Sequence, residues 1–191
     1  MKIGLYFGSF NPIHQGHLII ANHILNVTDL QKIWFVVSPQ NPFKQSSSLL
    51  NEYDRLHLVQ KAIELDDRLR ASEIEFALPK PSYTSATLSY LKDKYPTYDF
   101  SIIMGSDSFQ NLGNWRNSET IVSNYQIIIY KRPGFEIENK LNANIIEMDA
   151  PLLQISATHI RELVKNGKSI KYLVPDLVEK EIKENRYFKN L

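Results

Sequence analysis

Two apolar runs near the N-terminus are separated by ten residues that fit neither run. Lys2-Ile3-Gly4-Leu5-Tyr6-Phe7 reads as a buried strand, and Leu18-Ile19-Ile20-Ala21-Asn22-His23-Ile24-Leu25 as a helix packed against a sheet. Between them stands Gly8-Ser9-Phe10-Asn11-Pro12-Ile13-His14-Gln15-Gly16-His17. Its glycines, proline and asparagine make a turn that brings backbone and polar side chains close to a ligand. A first strand leading through such a turn into a first helix is where open α/β sheets bind phosphates. The helix end supplies unpaired N–H groups and partial positive charge. No G-x-G-x-x-G and no G-K-[ST] is present, so this is neither a dinucleotide fingerprint nor a P-loop. It offers two imidazoles instead. His14 and His17, three residues apart, share one side of the first helical turn.

Three readings of this pair compete. A metal site is disfavoured, because the chain has no cysteine and no H-E-x-x-H. One histidine can instead cap the helix while the other packs. Phosphate binding fits best, since imidazole N–H groups and helix-end amides together suit a polyphosphate. The charge balance limits where such binding can arise. Lys plus Arg total 22 against 21 acids, so no global field draws in a nucleic acid or a membrane. Phosphate must be held by locally placed groups. The absence of cysteine also excludes disulfides and thiol catalysis. No apolar run approaches the ~20 residues of a membrane span, and no secretory pattern precedes the first strand. The expectation is a soluble cytoplasmic protein with one domain over residues 1–191.

Further along, Lys32-Ile33-Trp34-Phe35-Val36-Val37-Ser38 reads as a second buried strand, stopped by Pro39. A polar loop over 40–48 follows, with Lys44 as its one cation. Surface lysines are usually solvated, but this one follows a strand end, the side on which α/β sheets bind ligands. Asn51 to Leu65 carries a helical stripe with Asn51 as N-cap, and Arg55 and His57 within it read as structural. Leu69 to Phe76 reads as a third strand carrying Glu73 and Glu75. In Pro79-Lys80-Pro81-Ser82-Tyr83-Thr84-Ser85-Ala86-Thr87-Leu88 the prolines end that strand, and Ser82 or Thr84 can cap a helix to about Tyr95. Phe100 to Met104 is a fourth strand, followed by Gly105-Ser106-Asp107-Ser108, where glycine permits close approach and Asp107 can accept from ribose hydroxyls. Trp115, in Leu112-Gly113-Asn114-Trp115-Arg116, is either a core plug or a stacking platform. Tyr125 to Tyr130 is a fifth strand ending in Lys131-Arg132-Pro133-Gly134, and Asn144 to Met148 an edge strand. Ile155-Ser156-Ala157-Thr158-His159-Ile160-Arg161 opens a helix capped by Ser156 and closed by Gly167, and Ser169 to Phe188 forms the closing helix. The resulting expectation is an α/β fold: a doubly wound, mostly parallel sheet with its site where the strand order reverses.

The turn from Gly8 to His17 resembles the first signature of the H-x-G-H nucleotidyltransferase superfamily. With Asn11-Pro12 and His14 it is most similar to the bacterial nicotinate-nucleotide adenylyltransferases. Pro81-Ser82-Tyr83-Thr84 with Thr87-Leu88 resembles that family's P-S-Y-T-x-x-T-L, and Arg132-Pro133-Gly134 its R-P-G turn. Ile155 to Arg161 resembles the second superfamily signature, I-S-S-T-x-I-R, with Ala157 in place of one serine. The resemblance implies a Rossmann-like nucleotidyltransferase that joins ATP to nicotinate mononucleotide, with Mg²⁺ as cofactor. It implies catalytic roles for His14, His17, Lys44 and Arg161. It places ATP against Gly8, Ser9, Phe10, His14, His17, Gly105, Asp107, Ser156, Thr158 and Arg161. The mononucleotide falls to Asn11, Lys44, Tyr83, Thr84, Trp115 and Arg132, with Trp115 stacking on the pyridine ring. Phe43 and Ala86 depart from the family pattern, which often has histidine and an acid there. Two other classes compete: pantetheine-phosphate adenylyltransferase, which usually has threonine where His14 stands and lacks the P-S-Y-T segment, and a nucleotide-sensing module without turnover.

Overall fold

The structure, a computed structural model, describes residues 1–40, 49–151 and 154–189. Its centre is a six-stranded sheet in the order β3-β2-β1-β4-β5-β6. The strands are β1 (Lys2–Gly8), β2 (Lys32–Val37), β3 (Leu69–Ser72), β4 (Asp99–Gly105), β5 (Gln126–Tyr130) and β6 (Ile145–Met148). Every pairing is parallel, so the sheet goes further than the mostly parallel expectation. Parallel sheets need both faces covered, which is why the central strands read as near-continuous apolar runs. Side chains alternate between two cores. In β4, Phe100, Ile102 and Met104 face one cluster while Ile103 faces the other; in β2, Trp34 and Val36 oppose Ile33, Phe35 and Val37.

The first face is covered by α1 (Gln15–Val27), α2 (Glu52–Ile63), α6 (Ala157–Lys165) and α7 (Asp176–Glu184). They contribute Ile20 and Ile24, Leu58 and Val59, Ile160 and Val164, and Val178 and Ile182. The second face is covered by α3 (Thr84–Lys94), α4 (Ser106–Phe109) and α5 (Ser118–Asn124), through Leu88, Leu91, Phe109 and Ile121. Strand order reverses between β1 and β4, which pair with each other while their chains continue outward in opposite directions. A crevice opens at the C-terminal ends of those two strands, the place where such sheets bind ligands. No helix among the described residues is long and apolar enough to cross a membrane.

Local departures from the sequence reading have physical causes. The third strand pairs with β2 only as far as Val36↔Ser72, and Ile74–Ala77 then winds into a 3-10 turn that buries Glu75. Neither Ser82 nor Thr84 caps α3. Tyr83 occupies the N-cap without a side-chain bond, Ser82 donates to the Gln40 carbonyl, and Thr84 is already helical. The closing helix starts only at Asp176, since Pro175 disfavours helical backbone in the residue before it. Asn51 and Ser156 do cap their helices, accepting from the Tyr53 and His159 amides. Gly167, at φ +66°, takes the left-handed position after α6, and its amide donates to the Val164 carbonyl.

Candidate active site

A cleft of about 510 Å³ lies over the crevice. Gly8 and Ser9 from the end of β1, Ser38 after β2, and Gly105 and Asp107 from the end of β4 form its floor. Tyr83, Thr84, Trp115 and Arg116 form the wall contributed by the second-face helices.

His14 and His17 stack face to face, with ring centroids 3.7 Å apart. His17 Nδ1 accepts from the His14 amide at 3.3 Å, which puts the ring proton of neutral His17 on Nε2. Tyr6, which lines the cleft, meets the His17 ring edge-on at 6.0 Å. Phe10 meets it at 5.1 Å, but its own side chain is buried, so toward a ligand it can offer only backbone. The helix end is also less open than the turn composition suggests. The Gln15 amide donates to the Leu173 carbonyl and the His17 amide to the His14 carbonyl. His14 is buried, and Nδ1 has no hydrogen-bond partner. Burial, with the Arg132 charge second, lowers its pKa from 6.5 to about 4, so at neutral pH it adds no positive charge under the His17 ring.

The second signature is joined to the first through Arg161. Its guanidinium donates to the Asn11 carbonyl at 2.8 Å and to Thr158 Oγ1 at 3.2 Å. Asn11 is buried, and its side-chain oxygen accepts from the Leu50 amide at 3.2 Å, so it braces the turn. Ser156 and Thr158 are exposed at the start of α6. Lys44 and Phe43 lie outside the described residues.

At the end of β4, Gly105 lies directly against the Asp107 and Arg132 side chains. A Cβ there would come within 2.8 Å of Arg132 Nε. Arg132 pairs with Asp107 at 3.3 Å and donates to the Tyr130 hydroxyl at 3.0 Å, while Tyr130 and Tyr6 share a hydroxyl contact of 3.1 Å. Arg132 is thus grouped with Gly105 and Asp107, and not with Tyr83 and Trp115. Trp115 serves two surfaces: it is half-buried against the second core and also lines the cleft. Across from it, the Arg116 guanidinium sits 5.1 Å from the Tyr83 ring centroid.

Residues 5–163 match the cytidylyltransferase-like family. A probable nicotinate-nucleotide adenylyltransferase of Cytophaga hutchinsonii is 53% identical over 194 residues, with both chains fully covered. One from Flavobacterium johnsoniae is 49% identical over 99% of this chain and 100% of its own. The chain belongs to the nicotinate-nucleotide adenylyltransferase family. The fold agrees. The nicotinic acid mononucleotide adenylyltransferase of Plasmodium falciparum, solved with NaAD, superposes with a TM-score of 0.83 over 98% of this chain and 97% of its own, at 22% identity.

For a member of the nicotinate-nucleotide adenylyltransferase family, the cleft contains groups that sequence reading did not single out. Glu75, in the 3-10 turn, is 2% exposed yet borders the cleft, and only its position inside Ile74-Glu75-Phe76-Ala77 hinted at burial. Burial raises its pKa, against the pull of the Ser82, Thr87 and Ser38 hydroxyls. Arg116 and Ser38 were likewise not distinguished by any local pattern.

His14 gives this family member a measurable acid response. Its folded pKa of about 4 lies below the unfolded 6.5, so the unfolded chain binds the proton first. The stability is fully present above pH 6.5 and is lost as pH falls toward 4. The loss from this group is on the order of 3 kcal/mol, from 1.36 kcal/mol per pKa unit. Urea unfolding of the wild type should therefore decline more steeply across that range than that of His14→Gln. Parallel pH profiles would show that burial of His14 is not what destabilises the acid form.

Proposed function

We propose that this protein transfers the adenylyl group of ATP to nicotinate mononucleotide, forming nicotinate adenine dinucleotide and releasing pyrophosphate, within NAD biosynthesis. The observation that carries this is the pairing of full-length relatives of that name with a cleft that has an aromatic wall and joins two signature turns. The mononucleotide's 5′-phosphate is already a nucleophile. One of its oxygens bonds to the α-phosphorus of ATP as the α–β bridging bond breaks, and pyrophosphate leaves with the electron pair. No protein nucleophile is needed. The protein's tasks are to hold two anions in line and to stabilise the charge that develops.

In this reading His14, His17, Lys44 and Arg161 face the phosphates. The backbone of Gly8, Ser9 and Phe10, and the hydroxyls of Ser156 and Thr158, complete the ATP side. Gly105 and Asp107 hold adenosine. Asn11 supports the mononucleotide indirectly by bracing the turn, Tyr83, Thr84 and Trp115 hold its ring, and Arg132 adds positive charge. Among the described residues no three His, Cys, Asp or Glu side chains converge as a metal cage. His14, His17 and Arg161 would orient the ATP phosphates, and a Mg²⁺ brought in with ATP would supply charge stabilisation there. The cytoplasm, where these nucleotides are available, is the proposed location.

The test is pyrophosphate release from ATP with nicotinate mononucleotide, nicotinamide mononucleotide or phosphopantetheine as acceptor. Shape cannot separate the two pyridine substrates; hydrogen-bond polarity can. The first turn of α3 presents backbone N–H donors and a positive dipole end. A carboxylate meets them with two acceptors, whereas a carboxamide sets its NH₂ against a donor. The kcat/KM should favour nicotinate by about 10²-fold or more. Equal values for the two pyridines would remove this account of selectivity, and turnover only with phosphopantetheine would overturn the reaction.

A further inference from the structure

Among the described residues, Glu75 is the one carboxyl group buried beside the cleft, and the reaction as described gives it no task. Oε1 lies 2.8 Å from Thr87 Oγ1, and Oε2 is enclosed with no hydrogen-bond partner. Thr87 Oγ1 also contacts the Tyr83 carbonyl at 3.3 Å, one helical turn earlier. A hydroxyl carries one proton. Both contacts are therefore hydrogen bonds when the carboxyl group brings its own proton and donates it to Thr87, while Thr87 donates to Tyr83. The same arrangement leaves Oε2 as an unpartnered carbonyl oxygen, which costs far less in a buried site than an unpartnered charge. Burial acts in the same direction, against the Ser82, Thr87 and Ser38 hydroxyls, which favour the charged form.

The chain of contacts ends on a peptide plane that matters. The Tyr83 carbonyl also accepts from the Ala86 and Thr87 amides, so its direction is set from three sides. A peptide group is planar, so fixing that carbonyl fixes the opposed N–H of Thr84. Thr84 opens α3, and its amide precedes the first intrahelical bond. It borders the cleft beside Ser82 and Tyr83. A carboxyl group whose pKa is raised by burial sets the donor while holding less negative charge next to an anionic ring substituent.

We infer that Glu75, relayed through Thr87, is a positioning residue that aims the first turn of α3 at the carboxylate of the pyridine mononucleotide. This rests on the reaction proposed above. The test measures KM for nicotinate mononucleotide and for ATP separately in Glu75→Ala, Glu75→Gln and Thr87→Val. Glu75→Ala and Thr87→Val should each raise the mononucleotide KM about tenfold, the size expected for one lost buried hydrogen bond, with the ATP KM changed less than about twofold. Their preference for nicotinate over nicotinamide should shrink as well. Glu75→Gln keeps a carbonyl oxygen and a donor toward Thr87, so it should stay within about threefold of wild type. If Glu75→Ala does not fold, the contrast between Glu75→Gln and Thr87→Val decides alone. Equal rises in both KM values, or a glutamine variant as impaired as Thr87→Val, would overturn the inference while the wild type remains active. A wild type that releases no pyrophosphate with nicotinate mononucleotide would instead overturn the reaction on which it rests.

Discussion

His17→Ala should lower kcat by about 10²-fold or more at saturating substrates, the loss seen when a donor to developing charge is removed. The geometry explains why this imidazole and not its neighbour should dominate. His14 is buried with an unpartnered Nδ1, and its ring is stacked under His17. His17 Nδ1 is occupied by the His14 amide, so the ring is held in one tautomer with its proton on Nε2. A donor held in one orientation needs no reorganisation as charge builds on the α-phosphate. The ring also packs edge-on against Phe10 and Tyr6, so some stability is lost, by about 1–2 kcal/mol. Pyrophosphate-release kinetics beside a thermal melt separate the two effects. A folded variant with wild-type kcat would remove His17 from the mechanism.

Arg55→Leu should give the largest loss of stability of any single substitution considered for this chain. Arg55 is fully buried, and its guanidinium donates to four backbone carbonyls: Leu50 at 2.9 Å, Ser9 at 2.6 Å, Ser38 at 2.7 Å and Pro39 at 3.0 Å. These belong to the segments after β1 and β2 and to the approach to α2, so one side chain ties three backbones around the cleft floor. Burial lowers its pKa to about 10, which still leaves it charged at neutral pH. Leucine fills the space but leaves the carbonyls without donors, at about 1–3 kcal/mol for each that water cannot reach. A total of about 3 kcal/mol or more corresponds to a fall in Tm of roughly 6–12 °C for a chain of this size. Lysine should not rescue it, because a single ammonium cannot span the fork that a guanidinium presents. Turnover should fall too, since Ser9 and Ser38 line the cleft. A Tm within 2 °C of wild type, a limit set at about 1 kcal/mol, would show that water replaces those bonds.

The ten-residue turn between β1 and α1, the apolar strands and the helix caps at Asn51 and Ser156 were all readable from the chain, because each depends on residues a few positions apart. Strand length was not. Leu69 to Phe76 reads as a strand throughout, yet β3 ends at Ser72 and the chain winds into a 3-10 turn instead. The start of α3 was similarly ambiguous, since Ser82 and Thr84 are equally good caps and the structure uses neither.

By itself the sequence determined the α/β class, the order of the elements, the two signature turns and the residue types available for phosphate, because periodicity, turn chemistry and charge are local properties. Only the tertiary structure decided what those residues face. Arg161 reaches the Asn11 carbonyl across 150 positions of chain, and Arg55 reaches Ser9 across 46. Arg132 was readable as a cation, but its engagement with Asp107 and Tyr130 arises from the register of β4 with β5. Glu75 looked like an ordinary acid on a strand. Its raised pKa and its link to the Tyr83 peptide come from enclosure by a turn, a helix and a loop, and the field inside such an enclosure depends on surfaces the local pattern does not encode.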